Sequence, residues 1–275
     1  MSLPLVVGVD GSPSSLQALD WAAGEAALRR LALRCVCSYE SPELREAAEQ
    51  VAAAAVDRAR RGSAVRATGV AVPGDPLEVL LDEGRNAVLL VVGDRGRGEL
   101  PGLLLGSVGL YAAARSDCPV VVVRGGPLQR GGRFGCVVLG VREGKEDSTA
   151  TAFAFHEARI RGSALVAVHA WHPPPIGAAG RSLMYGSPVE DSYDRAHEVL
   201  DEALREAEEE YPEVRVERRV TAGNARRALL EAAEKADLLV VGAHRGCGHL
   251  GLQLGLVAHC MLHHAPCPVA VVPYF

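Results

Sequence analysis

The chain carries one pattern twice, and this repeat limits what it can fold into more than any other feature. At an offset of 132 residues, Gly8-Val9 matches Gly140-Val141, Glu25-Ala26 matches Glu157-Ala158, and Ala32-Leu33 matches Ala164-Leu165. At an offset of 149, Gly74 matches Gly223, Leu80-Leu81 matches Leu229-Leu230, and the run 89–93 matches 238–242. Gly102, Leu103, Leu105 and Gly106 match Gly251, Leu252, Leu254 and Gly255, and Cys118-Pro119-Val120 matches Cys267-Pro268-Val269. The jump of 17 between the offsets is an insertion in the second copy, in the Pro/Gly-rich stretch 172–187. Two copies are too few for a solenoid, which needs at least three units to bury its faces. They read as tandem domains over 1–126 and 133–275, joined by a linker at 127–132 inside the stretch GGPLQRGG. A length of 275 residues suits two ordinary domains.

Each copy alternates strand and helix patterns. In the first, 3–9 is a continuous apolar run, as expected of a strand buried on both faces. Ser12 or Ser14 can cap a helix reaching residue 30. A second strand is expected at 35–38, a helix at 42–61 and a third strand at 65–72. A turn at 73–76 then leads into a short helix, a fourth strand at 88–92, a helix at 107–116 and a fifth strand at 119–123. The second copy repeats this order. The expected fold is therefore α/β, with two tandem Rossmann-like domains. Each is a five-stranded parallel sheet flanked by helices, wound right-handedly. Such sheets bind ligands at the carboxyl ends of their strands.

Charge and composition exclude several functions. Net charge is −5 and aromatic residues make up 4%, which leaves neither a basic nucleic-acid face nor a base-stacking platform. No apolar run reaches the ~18 residues a membrane helix needs, and the first residues lack the basic start of a signal peptide. An odd count of seven cysteines in a well-cored chain fits a reducing cytoplasm rather than a disulfide framework.

The chemistry is expected in the loop after the fourth strand. Gly93, Gly96, Gly106 and Ser107 form the pattern G-x2-G-x9-G-S. Gly93 and Gly96 would admit a phosphate chain close to the backbone and take up positive φ. Gly106 and Ser107 open a helix, whose free N–H groups attract anions. Arg95 and Arg97 add positive charge. Asp10, at the neighbouring strand end, could accept from a ribose or base, or could simply cap the first helix together with Ser12.

These residues resemble the universal stress protein family. The resemblance rests on VVGVDGS at 6–12, the turn Val72-Pro73-Gly74-Asp75-Pro76, VVGDRGRGELPGLLLGSV at 91–108 and CPVVVV at 118–123. It covers nearly the whole chain as two copies. It implies a role in stress or dormancy adaptation and, for members with an intact loop, binding of ATP, with or without Mg. The nucleotide contacts it implies are Asp10, Gly93, Gly96, Gly106, Ser107 and Val108, with Ser38 adding its backbone. ATP would then be a regulatory ligand. The alternatives are a nucleotide-independent interaction scaffold and a slow ATPase. A protein partner is implied but not identified. In this family fifth strands pair across a two-fold, so the two domains are expected to pair internally through 119–123 and 268–272; a homodimer is a further option.

The second copy departs from the pattern. Arg142 stands for Asp10, Arg245 for Gly96, Leu256 for Ser107 and Ala225 for Pro76. These changes reverse a charge, crowd the phosphate path and remove a hydroxyl, so nucleotide binding is expected only in the first copy. Other motifs read blandly. The G-x-G-x-x-G at 246–251 follows a fourth strand, where no dinucleotide fingerprint belongs. Cys260, His263, His264 and Cys267 read as a helix end and a small buried hydrophobe rather than a zinc set. The insertion at 172–187 is expected to be a lid or partner loop, and the acidic run 201–210 a solvated helix face.

Overall fold

The computed structural model describes residues 2–96, 105–144, 148–173, 188–244 and 254–274. In the first half the order is β1 (Leu5–Gly8), α1 (Pro13–Arg29), β2 (Leu33–Tyr39), α2 (Arg45–Gly62), β3 (Ala67–Pro73), α3 (Pro76–Gly84), β4 (Leu89–Gly93), α4 (Ser107–Arg115) and β5 (Val120–Val123). One helical turn, α5 (Pro127–Arg130), lies in the connecting stretch. The second half follows with β6 (Cys136–Val141), α6 (Ser148–Arg161), β7 (Ala164–Trp171), α7 (Pro188–Glu210), β8 (Val216–Ala222), α8 (Ala225–Ala233), β9 (Leu238–His244), α9 (Leu256–His264) and β10 (Val269–Tyr274).

Local chemistry explains the element ends. The Ser12 hydroxyl accepts from the Ser15 N–H at 3.2 Å and Pro13 occupies the first turn, so α1 starts there. It stops at Arg30, which adopts φ 55. Asp75 caps α3 by accepting from Leu77 and Glu78, and Asn224 caps α8 by accepting from Arg226. The second strand is longer than the apolar pattern indicated. Arg34 interrupts that pattern, yet it stays in β2 by pairing both guanidinium arms with Glu83 at 2.7 and 2.9 Å, which raises its pKa. The acidic run in α7 is not merely solvated: Asp201 and Glu208 both pair with Arg218 of β8.

The strands form one ten-stranded sheet in the order β3-β2-β1-β4-β5-β10-β9-β6-β7-β8. Every pairing is parallel except the central one, where β5 meets β10 antiparallel, Val120 opposite Val271 and Val122 opposite Val269. The expected internal pairing of the fifth strands is therefore present. It removes two apolar edges that would otherwise invite aggregation. Side chains alternate between two helical layers. Leu89, Val91 and Val121 face α1, α2 and α6, while Leu90, Val92 and Val120 face α3, α4 and α8, and both cores run through the two halves. Among the described residues no helix is long and apolar enough to cross a membrane.

A buried ionic clamp joins the halves beside this seam. Glu25 and Arg29 of α1 meet Glu157 and Arg161 of α6, which occupy the matching places of the repeat. Arg29 bonds both glutamates, and so does Arg161. Arg29 also stacks over Phe153, and Arg161 over Trp21, with guanidinium carbons 5.5 and 5.7 Å from the ring centroids. The two aromatic residues are again matched positions, so each half supplies a ring for the other's arginine.

The core cysteines tie stability to alkaline pH. Burial pushes the thiols of Cys35 and Cys267 up to about 12. Both pKa values are raised on folding, so the stability they contribute is complete below the unfolded thiol pKa near ~8.5 and fades as pH climbs toward 12. Urea midpoints should fall between about pH 9 and pH 11. The double variant Cys35→Ala, Cys267→Ala should start less stable and show a shallower fall. Parallel curves for the two proteins would disprove the assignment.

Candidate nucleotide site

The carboxyl end of the first half's strands gathers the expected loop. Asp10 follows β1, where the Val9 N–H extends the ladder by donating to the Val36 carbonyl at 2.8 Å. One carboxylate oxygen of Asp10 accepts from the Ser12 N–H at 2.9 Å, so the capping role is present. The other lies 3.1 Å from where a Cβ on Gly96 would sit. Asp10 therefore borders the glycine loop as well as supporting α1.

Gly93 ends β4 directly against α1. A Cβ there would come within 2.4 Å of the Ser14 hydroxyl oxygen and 2.8 Å of the Ser14 backbone. Contrary to expectation, neither Gly93 nor Gly96 has a positive φ. Close approach, not left-handed backbone, is what requires glycine. Ser14 then locks the loop's first turn, its hydroxyl donating to the Asp94 carboxylate at 2.7 Å and accepting the Arg95 N–H at 3.2 Å. The Gly106 N–H donates to the Asp94 carbonyl at 2.7 Å and closes the loop's two ends. A Cβ on Gly106 would sit 3.4 Å from Arg95 Cα. In the sequence Ser14 reads only as a possible cap of the first helix, and nothing local pairs it with Asp94. The spacing between them is 80 residues, and only the packing of α1 on β4 brings them together.

The structure thus brings together Asp10, Gly93, Arg95, Gly96, Gly106 and Ser107. Ser107 is exposed in the first turn of α4, whose N-cap Gly106 offers no side-chain acceptor. The amides of that turn are therefore open to an anion. Val108 packs its side chain on the core, so only its backbone can serve a ligand. Ser38 pairs with Val72 of β3; the β1–β2 register places it at the level of Asp10, with no bond to the described residues of the loop. Arg97 lies outside the described residues, as does Arg245.

Comparison with known proteins is decisive. The model of the universal stress protein family matches residues 1–124 and 134–273. The chain belongs to the universal stress protein family. Universal stress protein Rv2623 of Mycobacterium tuberculosis is 31% identical over 291 residues, covering 98% of this chain and 96% of that protein. Universal stress protein Rv1996 of the same organism is 30% identical over 302 residues, covering 98% and 95%. The crystal structure of a universal stress protein from Archaeoglobus fulgidus superposes with a TM-score of 0.75 at 17% identity, covering 98% of both chains, which shows the shared fold.

In this universal stress protein the end of β5 also reaches the second half. Arg124, next after β5, donates to the carbonyls of Leu262 and His263 at the end of α9, the latter at 2.8 Å. Its pKa is lowered mainly by burial, a shift the nearby Asp94 carboxylate opposes. No local pattern marks this contact, which exists only once β5 and β10 pair.

Proposed function

We propose that this universal stress protein binds one ATP per chain, in its first half, as a regulatory ligand in stress or dormancy adaptation. The observation that carries the reading is the closed loop. Ser14 and Gly106 fix both of its ends through Asp94, Gly93 lets α1 pack close enough for the Ser14 bonds, the lack of a side chain at Gly96 keeps the backbone beside Asp10 approachable, and α4 starts uncapped. Asp10 supplies an acceptor for the sugar or base. Phosphate oxygens would supply most of the ligands to an accompanying Mg, which commonly retains waters and needs few protein groups.

The test is stoichiometry. Mass spectrometry of nucleotide released from purified, denatured protein, together with titration calorimetry, should give one ATP per chain. Two sites of similar affinity would disprove the claim that Arg142, Arg245 and Leu256 disable the second copy. Absence of both heat and co-purified nucleotide would favour a nucleotide-independent scaffold.

A further inference from the structure

The second half holds a cavity of about 1060 Å³ at the carboxyl ends of β6, β7 and β9. That is at the upper end of the roughly 300–1,000 Å³ typical of small-molecule sites. It occupies the place that corresponds to the nucleotide site, but the repeat shows its chemistry rebuilt. Ala243 stands where the first half has Asp94, Ala170 where it has Ser38, and Leu256 where it has Ser107. Val168, Leu229, Val241 and Val257 complete apolar walls. Leu256 opens α9 with 80% of its surface exposed, where the first half presents the Ser107 hydroxyl.

Aromatic rings and charge have changed too. Tyr274 replaces Gly125 and is 5% exposed, and its ring meets His244 edge-on at 5.4 Å. Arg142 replaces Asp10, with its guanidinium carbon 5.9 Å over the Tyr274 ring. Trp171 replaces Tyr39 on the opposite wall. At matched positions Asp10 and Asp94 have gone and Arg142 has come in, while Arg95 gives way to His244 and Gly11 to Glu143. Glu143 also lines the cavity and lies 3.5 Å from Arg195; Asp191 is the other acidic group there among the described residues.

We propose that this cavity binds a small hydrophobic monoanion, a monocarboxylate with an aliphatic or aromatic body. Arg142 holds the charge, and Leu256 with the apolar walls holds the body. A polyphosphate is the wrong occupant. Arg245 stands for Gly96 and Leu256 for Ser107, so the glycine gap and the hydroxyl that the first half offers to phosphate are absent here. A single carboxylate needs only one cation, and its apolar body gains from every wall it covers.

The experiment uses the full chain in saturating ATP, with 8-anilinonaphthalene-1-sulfonate as a fluorescent aromatic monoanion. The probe should saturate at one per chain and be displaced by decanoate more readily than by 1-decanol. Arg142→Asp should weaken decanoate at least tenfold and leave 1-decanol within twofold. Leu256→Ser should weaken both. Both residues are exposed, so both variants should fold; Arg142→Gln carries the same charge test if Arg142→Asp does not. Loss of all probe binding in saturating ATP would overturn the proposal, as would an unchanged decanoate-to-decanol ratio in the Arg142 variants. Probe binding that never saturates would overturn it as well.

Discussion

Gly96→Arg is expected to abolish ATP binding while leaving the fold intact. The second copy already carries arginine at this place, as Arg245. In the first half a Cβ at 96 would sit 3.1 Å from a carboxylate oxygen of Asp10. A guanidinium there would pair with Asp10, removing the acceptor from the ligand while its stem fills the approach to the loop. The cost to folding should be small. Gly96 does not use a left-handed conformation, so the ~1–2 kcal/mol strain of an L-residue at positive φ does not arise. Substitutions at such unstrained, partly exposed places usually fall within about 0.5 kcal/mol. Affinity should drop by more than 100-fold, about 2.7 kcal/mol. The paired measurement is ATP affinity by calorimetry and melting temperature without ligand. Retained affinity in a folded variant would show that the loop does not hold the phosphates.

The largest stability loss should come from breaking the clamp between the halves. Glu157→Ala leaves Arg29 and Arg161, about 10% exposed, with only Glu25 to neutralise them. Removing one partner of a buried ionic group typically costs 3–5 kcal/mol, because a desolvated charge is left uncompensated. At about 2–4 °C per kcal/mol in larger domains, the melting temperature should fall by roughly 6–20 °C. Replacing the whole set, with Glu25→Leu, Arg29→Met, Glu157→Leu and Arg161→Met, should cost far less, because no charge is stranded. Equal losses in the single and fourfold variants would show that the four residues act by packing rather than by mutual neutralisation.

The comparison between these two sites shows what a sequence displays and what it hides. The glycine spacing, the helix start at Ser107 and the apolar fifth strands are local patterns, each tied to backbone geometry, and they were legible. So was the equivalence of Glu25 with Glu157. Its meaning was not, because a buried glutamate looks like a solvated one until the helix that faces it is known. Ser14 was hidden for the same reason: its partner Asp94 is distant in sequence and adjacent only in space. The second half's cavity was legible only as a list of losses. Arg142, Leu256 and Ala225 mark a broken nucleotide motif, whereas the wall they share with Trp171 and Tyr274 requires the coordinates.

The antiparallel meeting of β5 with β10 has a geometric outcome for signalling. Strands in the two halves run toward opposite edges of the common sheet, so their carboxyl ends form two poles facing away from each other. A flat partner surface can read only one pole at a time. Helix α9 lies between them, with Leu256 at the cavity end and the carbonyls that hold Arg124 at the other. At 1.5 Å per residue its nine residues make a strut of about 13 Å. The two poles are thus joined by one rigid rod whose tips rest in different chemical environments.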